Sequence, residues 1–191
     1  MALRAKRYFQ DHEVQTVLKN GKTVRKYVYQ GDWYVRQTTP AARRAERIAY
    51  LPLAALAGGL LLAAMSRPVP TNIGGVLAAL SLLALIAAFC VLEGVAEAFF
   101  RKGDLTKNDY YERLVMLRVM PAAGAALLLL LTAGYLRDAF GGQNTGAALW
   151  AAAFAGVAAA VYAGIAAREF RVQYQIVKGP GAAQPQPGGK P

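Results

Sequence analysis

The sequence predicts a mainly α-helical membrane protein, an antiparallel bundle of four transmembrane helices with a small N-terminal β-meander on the cytoplasmic side. Three observations predict it. Four separate stretches are long and apolar enough to cross a bilayer, which takes about 20 residues. Charge is scarce, at 17% of 191 residues against 55% hydrophobic, where soluble domains average about 25% charged. The charge that is present is lopsided, with 22 Lys and Arg against 11 Asp and Glu, a net +11.

The chain opens with a basic segment, residues 1–40, that contains "HEVQTVLKNGKTVRKYVYQGDWYVRQ" over residues 12–37. Asn20-Gly21 between β-rich runs signals a type I′ hairpin, and Gly31-Asp32 suits a type II′ turn. Two hairpins in series give a three-stranded meander. Its expected register sets Val17 opposite Val24 and Val28 opposite Val35 on an aliphatic face. Tyr29 then lies opposite Tyr34 on the other face, beside Arg25, Tyr27 and Arg36. So small a sheet is marginal alone, which makes Arg25, Tyr27, Tyr29, Tyr34 and Arg36 a candidate docking face. Basic residues interleaved with aromatics suit anionic lipid headgroups and also single-stranded nucleic acid. Tethering close to the first span favours lipid or a partner protein, and nucleic acid is not expected.

The transmembrane domain is predicted over residues 41–172, with spans at about 48–65, 73–92, 119–136 and 147–167. The connections "SRPVPTN" and "RDAFGGQNTG" are short and turn-forming, as antiparallel neighbours require. Pro52 and Pro121 fall near span starts, where a missing N–H matters least. In the loop "LTKNDYYERLVMLR", Thr106 with Asp109 three residues on approximates a capping box, so a helix from Lys107 feeds the third span. Tyr110 and Tyr111 then fall at headgroup depth. The fourth span spaces Ala152, Gly156, Ala160 and Gly164 four apart, a stripe that lets helix backbones approach within the subunit or between copies. Gly58 and Gly59 suggest the same in the first span. The tail, 173–191, ends in "GPGAAQPQPGGKP" and is expected to be disordered.

Orientation follows from the cations. Eleven Lys or Arg precede residue 48, five lie within 101–118 and four follow residue 167, while the opposite turns hold only Arg67 and Arg137. Basic residues stay on the cytoplasmic side, so both termini are predicted there. At 1.5 Å per residue, Glu93 reaches the inner boundary and Glu97 lies one turn beyond it. Carboxylates at that spacing repel, and a helix C-terminus disfavours negative charge. Partners are expected among Arg101, Arg118, Arg47 and Arg168, so Glu93, Glu97, Arg101 and Arg118 form a candidate inner-rim charge cluster, with an ion-paired structural rim as its simplest role.

Several function classes find no support in these residues. One cysteine, Cys90, and one histidine, His12, build neither an internal disulfide nor a metal cluster. No nucleophile–base pair or phosphate loop is legible, so no catalytic, cofactor or metal residue is assigned and the chain is read as not an enzyme. The start has no apolar core, so no cleavable signal is expected, and no lipidation signal is read. No span carries a charge in its middle third, where transporters hold their cargo on polar groups or broken helices.

The motifs "VYQGDWYVRQ" before the first span and "GDLTKNDYYERLVMLR" between the second and third give the layout a likeness. It resembles a group of uncharacterised bacterial four-span integral membrane proteins with a short basic N-terminal β segment. The resemblance implies a bacterial cytoplasmic membrane and no particular activity, and it transfers no residue role. The expected function is a non-enzymatic accessory, scaffold or regulatory component. It would dock anionic lipid headgroups, a membrane-protein partner or a second copy of itself on its cytoplasmic face. The alternative is a small transporter or channel with Glu93 and Glu97 at an acidic cytoplasmic mouth.

Overall fold

The computed structural model describes residues 12–19, 22–66, 74–100, 104–141 and 145–179. Four helices long and apolar enough to cross a membrane dominate it. Arg67, the turn at 70–72, Arg101, the Asn20-Gly21 turn and the tail beyond Gly179 lie outside the described residues. The chain divides into two compact units, a small sheet unit and a helical unit.

The helical unit contains α1 (Pro40–Met65), α2 (Gly74–Phe100), the C-terminal end of α3 (Lys107–Leu114), a π-helical turn (Val115–Val119), α4 (Met120–Phe140) and α5 (Thr145–Phe170). Thr39 caps α1 by accepting from the Ala42 N–H at 3.3 Å, and Pro40 takes the first helical position, where no N–H is needed. The helices form a ring in which α1 packs on α2 and α5, and α4 packs on α2 and α5.

The ring's interior is rich in alanine, packed around Leu61, Leu128, Leu131, Val91 and Tyr162. The buried face of α5 is Ala148, Ala151, Ala152, Ala155, Ala158 and Ala159, followed by Tyr162, Ile165 and Ala166. That stripe recurs every three or four residues, as one helix face must. It differs from the expected stripe, of which Ala152 is buried while Ala160 and Gly164 are exposed. A Cβ built on Gly58, Gly59 or Gly164 would meet nothing within 4 Å, so these glycines are not close-approach points within the subunit. Gly94 is one. A Cβ there would stand 2.5 Å from the Met116 Cβ of the π turn.

Pro121 stands in the first turn of α4, as expected, whereas Pro52 sits deeper than expected. Pro52 is interior to α1, because the helix starts at Pro40 rather than near residue 48. The helical path through α3 and α4 is continuous, and the π turn immediately precedes Pro121. Proline removes a backbone donor and crowds the preceding turn; a π turn relieves that crowding by widening the hydrogen-bond loop.

The sheet unit holds two antiparallel sheets. β1 (His12–Lys19) pairs with β2 (Lys22–Tyr29), with Val17 opposite Val24 as predicted. The second expected hairpin does not form. β3 (Trp33–Arg36) is instead the centre of a separate sheet, between β4 (Leu105–Thr106) and β5 (Tyr174–Val177). Val35 pairs with Gln175 and Tyr34 with Ile176 and Leu105, not with Val28 and Tyr29. The reason is local. Gly31 does not take the left-handed backbone of a type II′ turn. The Tyr29 hydroxyl donates to the Asp32 carbonyl at 3.1 Å and its ring packs edge-on to Trp33 at 5.1 Å, so the side chain itself closes the turn. β5 also removes residues 174–177 from the predicted disordered tail.

Replacing Gly94 by Ala overpacks the contact with the π turn, which typically costs about 1–3 kcal/mol. Gly58→Ala meets nothing and gains helix propensity. Thermal unfolding of the purified protein is expected to fall for Gly94→Ala and to hold or rise for Gly58→Ala.

Candidate functional site

The charged ends of the helical stripes locate the first candidate site. On α1 the buried face runs Ala64, Leu61, Ala57, Ala54 and Tyr50, and one further turn back along the same face lies Glu46. On α5 the face runs through Tyr162, Ile165 and Ala166 to Glu169. Each stripe therefore ends in a buried carboxylate, with Glu46 only 7% exposed and Glu169 1%. Burying a carboxylate is expensive unless it is paired. Glu46 accepts from the Arg168 Nε at 3.3 Å, while the Arg168 side chain stays 60% exposed.

Below this pair, α1 and α5 part to leave a cavity of about 370 Å³. Ala49, Tyr50 and Leu53 line one wall, and Ala160, Val161 and Gly164 line the other, with Glu46 and Arg168 at the charged end. Ala160 and Gly164 of α5, expected to bring helices together, here line this space. Nearby, Arg118 ties the π turn to the end of α5. Its Nη2 donates to the Val172 carbonyl at 2.7 Å, and its guanidinium lies over the Phe170 ring at 5.8 Å from the centroid, within cation–π range.

The predicted rim acids sit elsewhere. Glu93 and Glu97 are exposed on α2, off its buried face of Val91, Gly94, Val95 and Ala98. Arg118 contacts α5 as described, and Arg101 lies outside the described residues. Glu46 and Glu169 escaped the sequence reading because "RRAER" and "AAREF" register first as basic flanks. Extending the apolar stripe of each span by one turn would have found both.

The five predicted docking residues fall on two sheets. Arg25 and Tyr27 lie on β2, opposite Thr16 and Val14. Tyr29 ends β2 half-buried, and its hydroxyl accepts from the Lys107 N–H at 3.2 Å. Tyr34 and Arg36 occupy the buried face of β3, so they are part of the unit's interior rather than an open face. Tyr34 stacks on Tyr110 with ring centroids 4.2 Å apart, and Tyr110 meets Tyr174 edge-on at 5.0 Å. Tyr110 is thus a packing residue, beyond the headgroup anchor expected of it. It is held by the capping box, which is complete. Asp109 accepts from both the N–H and the hydroxyl of Thr106 at 3.3 and 2.5 Å, and Thr106 accepts from the Asp109 N–H at 3.4 Å.

Comparison with family models, curated proteins and solved structures finds no match for this chain.

Burial raises the Tyr34 phenol above its ordinary value of 10.0, with Tyr111, Asp32 and Tyr110 adding repulsion toward its anion. The folded state therefore holds this proton at pH values where the unfolded chain has released it. Tyr34 contributes stability that is intact below pH 10 and is lost as pH rises through the folded value. Ultraviolet titration is expected to show a late phase from buried tyrosines after the exposed ones, and Tyr34→Phe lowers that phase by one tyrosine.

Proposed function

We propose that this chain is a multi-pass membrane protein with both termini in the cytoplasm, acting as a non-enzymatic accessory or scaffold component that binds lipid and partner proteins. One observation carries the membrane part of this reading. The outward faces of the four helices bear large apolar side chains, among them Leu56, Leu62, Leu82, Ile86, Leu129 and Val157, while the inside is rich in alanine. A water-soluble bundle has the opposite arrangement, polar outside and large apolar inside. Orientation follows from the cations, which crowd the side of the termini and of the loop between α2 and α3.

The accessory role is favoured over transport by the placement of the acids. Glu93 and Glu97 lie on the exposed side of α2, where they line no route between the helices. Away from the charged end, the interior polar groups among the described residues are uncharged: Ser81 and the phenols of Tyr50, Tyr135 and Tyr162 are buried, and Thr132 donates to the Leu128 carbonyl of its own helix at 2.8 Å. A cargo path needs midplane charge or broken helices.

The protein is expected to stay with membranes through an alkaline wash. Reconstituted into liposomes, it is expected to pass no protons or alkali cations under imposed gradients, and Glu93→Gln with Glu97→Gln leaves that baseline unchanged. Flux that the double substitution abolishes would instead favour the transporter.

A further inference from the structure

We propose that the groove between α1 and α5 holds one acyl chain of a net-anionic phospholipid of the inner leaflet, with the lipid phosphate on Arg168. The inference rests on the membrane reading and adds a ligand class and a site to it.

Charge at this end of the helical unit is sorted by burial. The acids Glu46 and Glu169 are 7% and 1% exposed. The arginines at the end of α5 are the reverse: Arg168 and Arg171 are both exposed, and the Arg171 N–H donates to the Arg168 carbonyl at 3.2 Å. A molecule arriving at the mouth of the groove therefore meets cations rather than carboxylates. Arg168 lines the groove and pairs with Glu46 through its Nε alone. A guanidinium carries five N–H donors in a planar fork. The pair thus leaves donors on a side chain that is 60% exposed, in the geometry that suits a phosphate. Glu46 orients the guanidinium and does not have to release it, and its own interactions extend beyond Arg168.

The depth and the walls point to a lipid rather than a free anion. Glu46 and Arg168 fall just past the ends of the apolar spans read at 48–65 and 147–167, at the level of the cytoplasmic headgroups. From there the groove runs between Ala49, Leu53, Ala160 and Gly164. All four are exposed, so the groove opens sideways toward the bilayer, where an acyl chain enters. Its volume of about 370 Å³ falls within the roughly 300–1,000 Å³ of small-molecule pockets. Gly164 keeps the floor open, since a Cβ there would meet nothing within 4 Å. A free phosphate would use the arginine and none of this apolar wall. The headgroup is selected by net charge. A zwitterionic lipid brings a cation of its own to a mouth that already holds two, whereas a glycerol headgroup brings none.

The test uses the full-length detergent-purified protein and native mass spectrometry. Phosphatidylglycerol, phosphatidylethanolamine and phosphatidylcholine with identical acyl chains are titrated in competition. One arginine near the surface favours an anionic lipid by about fivefold. The wild type is expected to retain one phosphatidylglycerol in preference to the other two by about tenfold, and Arg168→Gln to cut that preference about fivefold. Arg44→Gln removes an exposed cation of α1 that does not line the groove, and is expected to leave the preference unchanged. Gly164→Leu, which fills the floor, is expected to lose the bound lipid with unchanged thermal unfolding. Equal retention of all three lipids by the wild type overturns the proposal, as does a preference for either zwitterionic lipid. So does an Arg168→Gln protein that keeps the full preference, or an Arg44→Gln protein that loses as much of it. Recovery of the protein from water without detergent would strike the membrane reading itself, whereas detergent-dependent protein without headgroup preference strikes only this site.

Discussion

The rest of the structure depends on an alanine-rich interior around a few buried leucines and tyrosines, with many large apolar side chains turned outward. Alanine along α5 lets its neighbours pack closely, while many of the wide apolar side chains of the four helices face outward. In water that arrangement would expose a large apolar area. In hydrocarbon it is favourable, because close backbone packing rather than hydrophobic burial drives helices together. The tight meeting of Gly94 with the π turn belongs to the same logic, as does the turn itself, which lets a proline-bearing helix run on without a break.

Where the apolar stripes end, charge begins, and it begins in an ordered way. Glu46 and Glu169 continue the inward faces of α1 and α5, so the interior closes with carboxylates rather than with more alanine. Arg168 answers Glu46 from the neighbouring helix. Arg118 joins the π turn to the chain just past α5. These contacts link elements far apart in sequence at one end of the ring, and they frame the groove between α1 and α5.

The helices were legible because length and hydropathy report them directly, and the capping box was legible because its two side chains are three residues apart. Non-local pairing was not. β3 draws its partners from Leu105–Thr106 and Tyr174–Val177, some 70 and 140 residues on, and no local turn signal carries that information. The Gly31-Asp32 dipeptide pointed to a hairpin, yet Tyr29 closes that turn through its own hydroxyl. The buried acids were passed over for a different reason. Glu93 and Glu97 stood out as acids at the end of a long apolar run, whereas Glu46 was hidden among arginines. Helical phase, not local composition, separates the buried acid from the exposed pair.

Every part of this reading needs α1, α2, α4 and α5 to lie across a bilayer, with the cations on the cytoplasmic side. Single-cysteine labelling measures that directly. In a Cys90→Ala background, Phe140→Cys and Asp104→Cys place one thiol at each predicted flank, and an impermeant maleimide is applied to spheroplasts before and after permeabilisation. The account predicts that Phe140→Cys labels from outside and that Asp104→Cys labels only once the membrane is opened. Labelling of both from the same side, or of Asp104→Cys alone from outside, would contradict it.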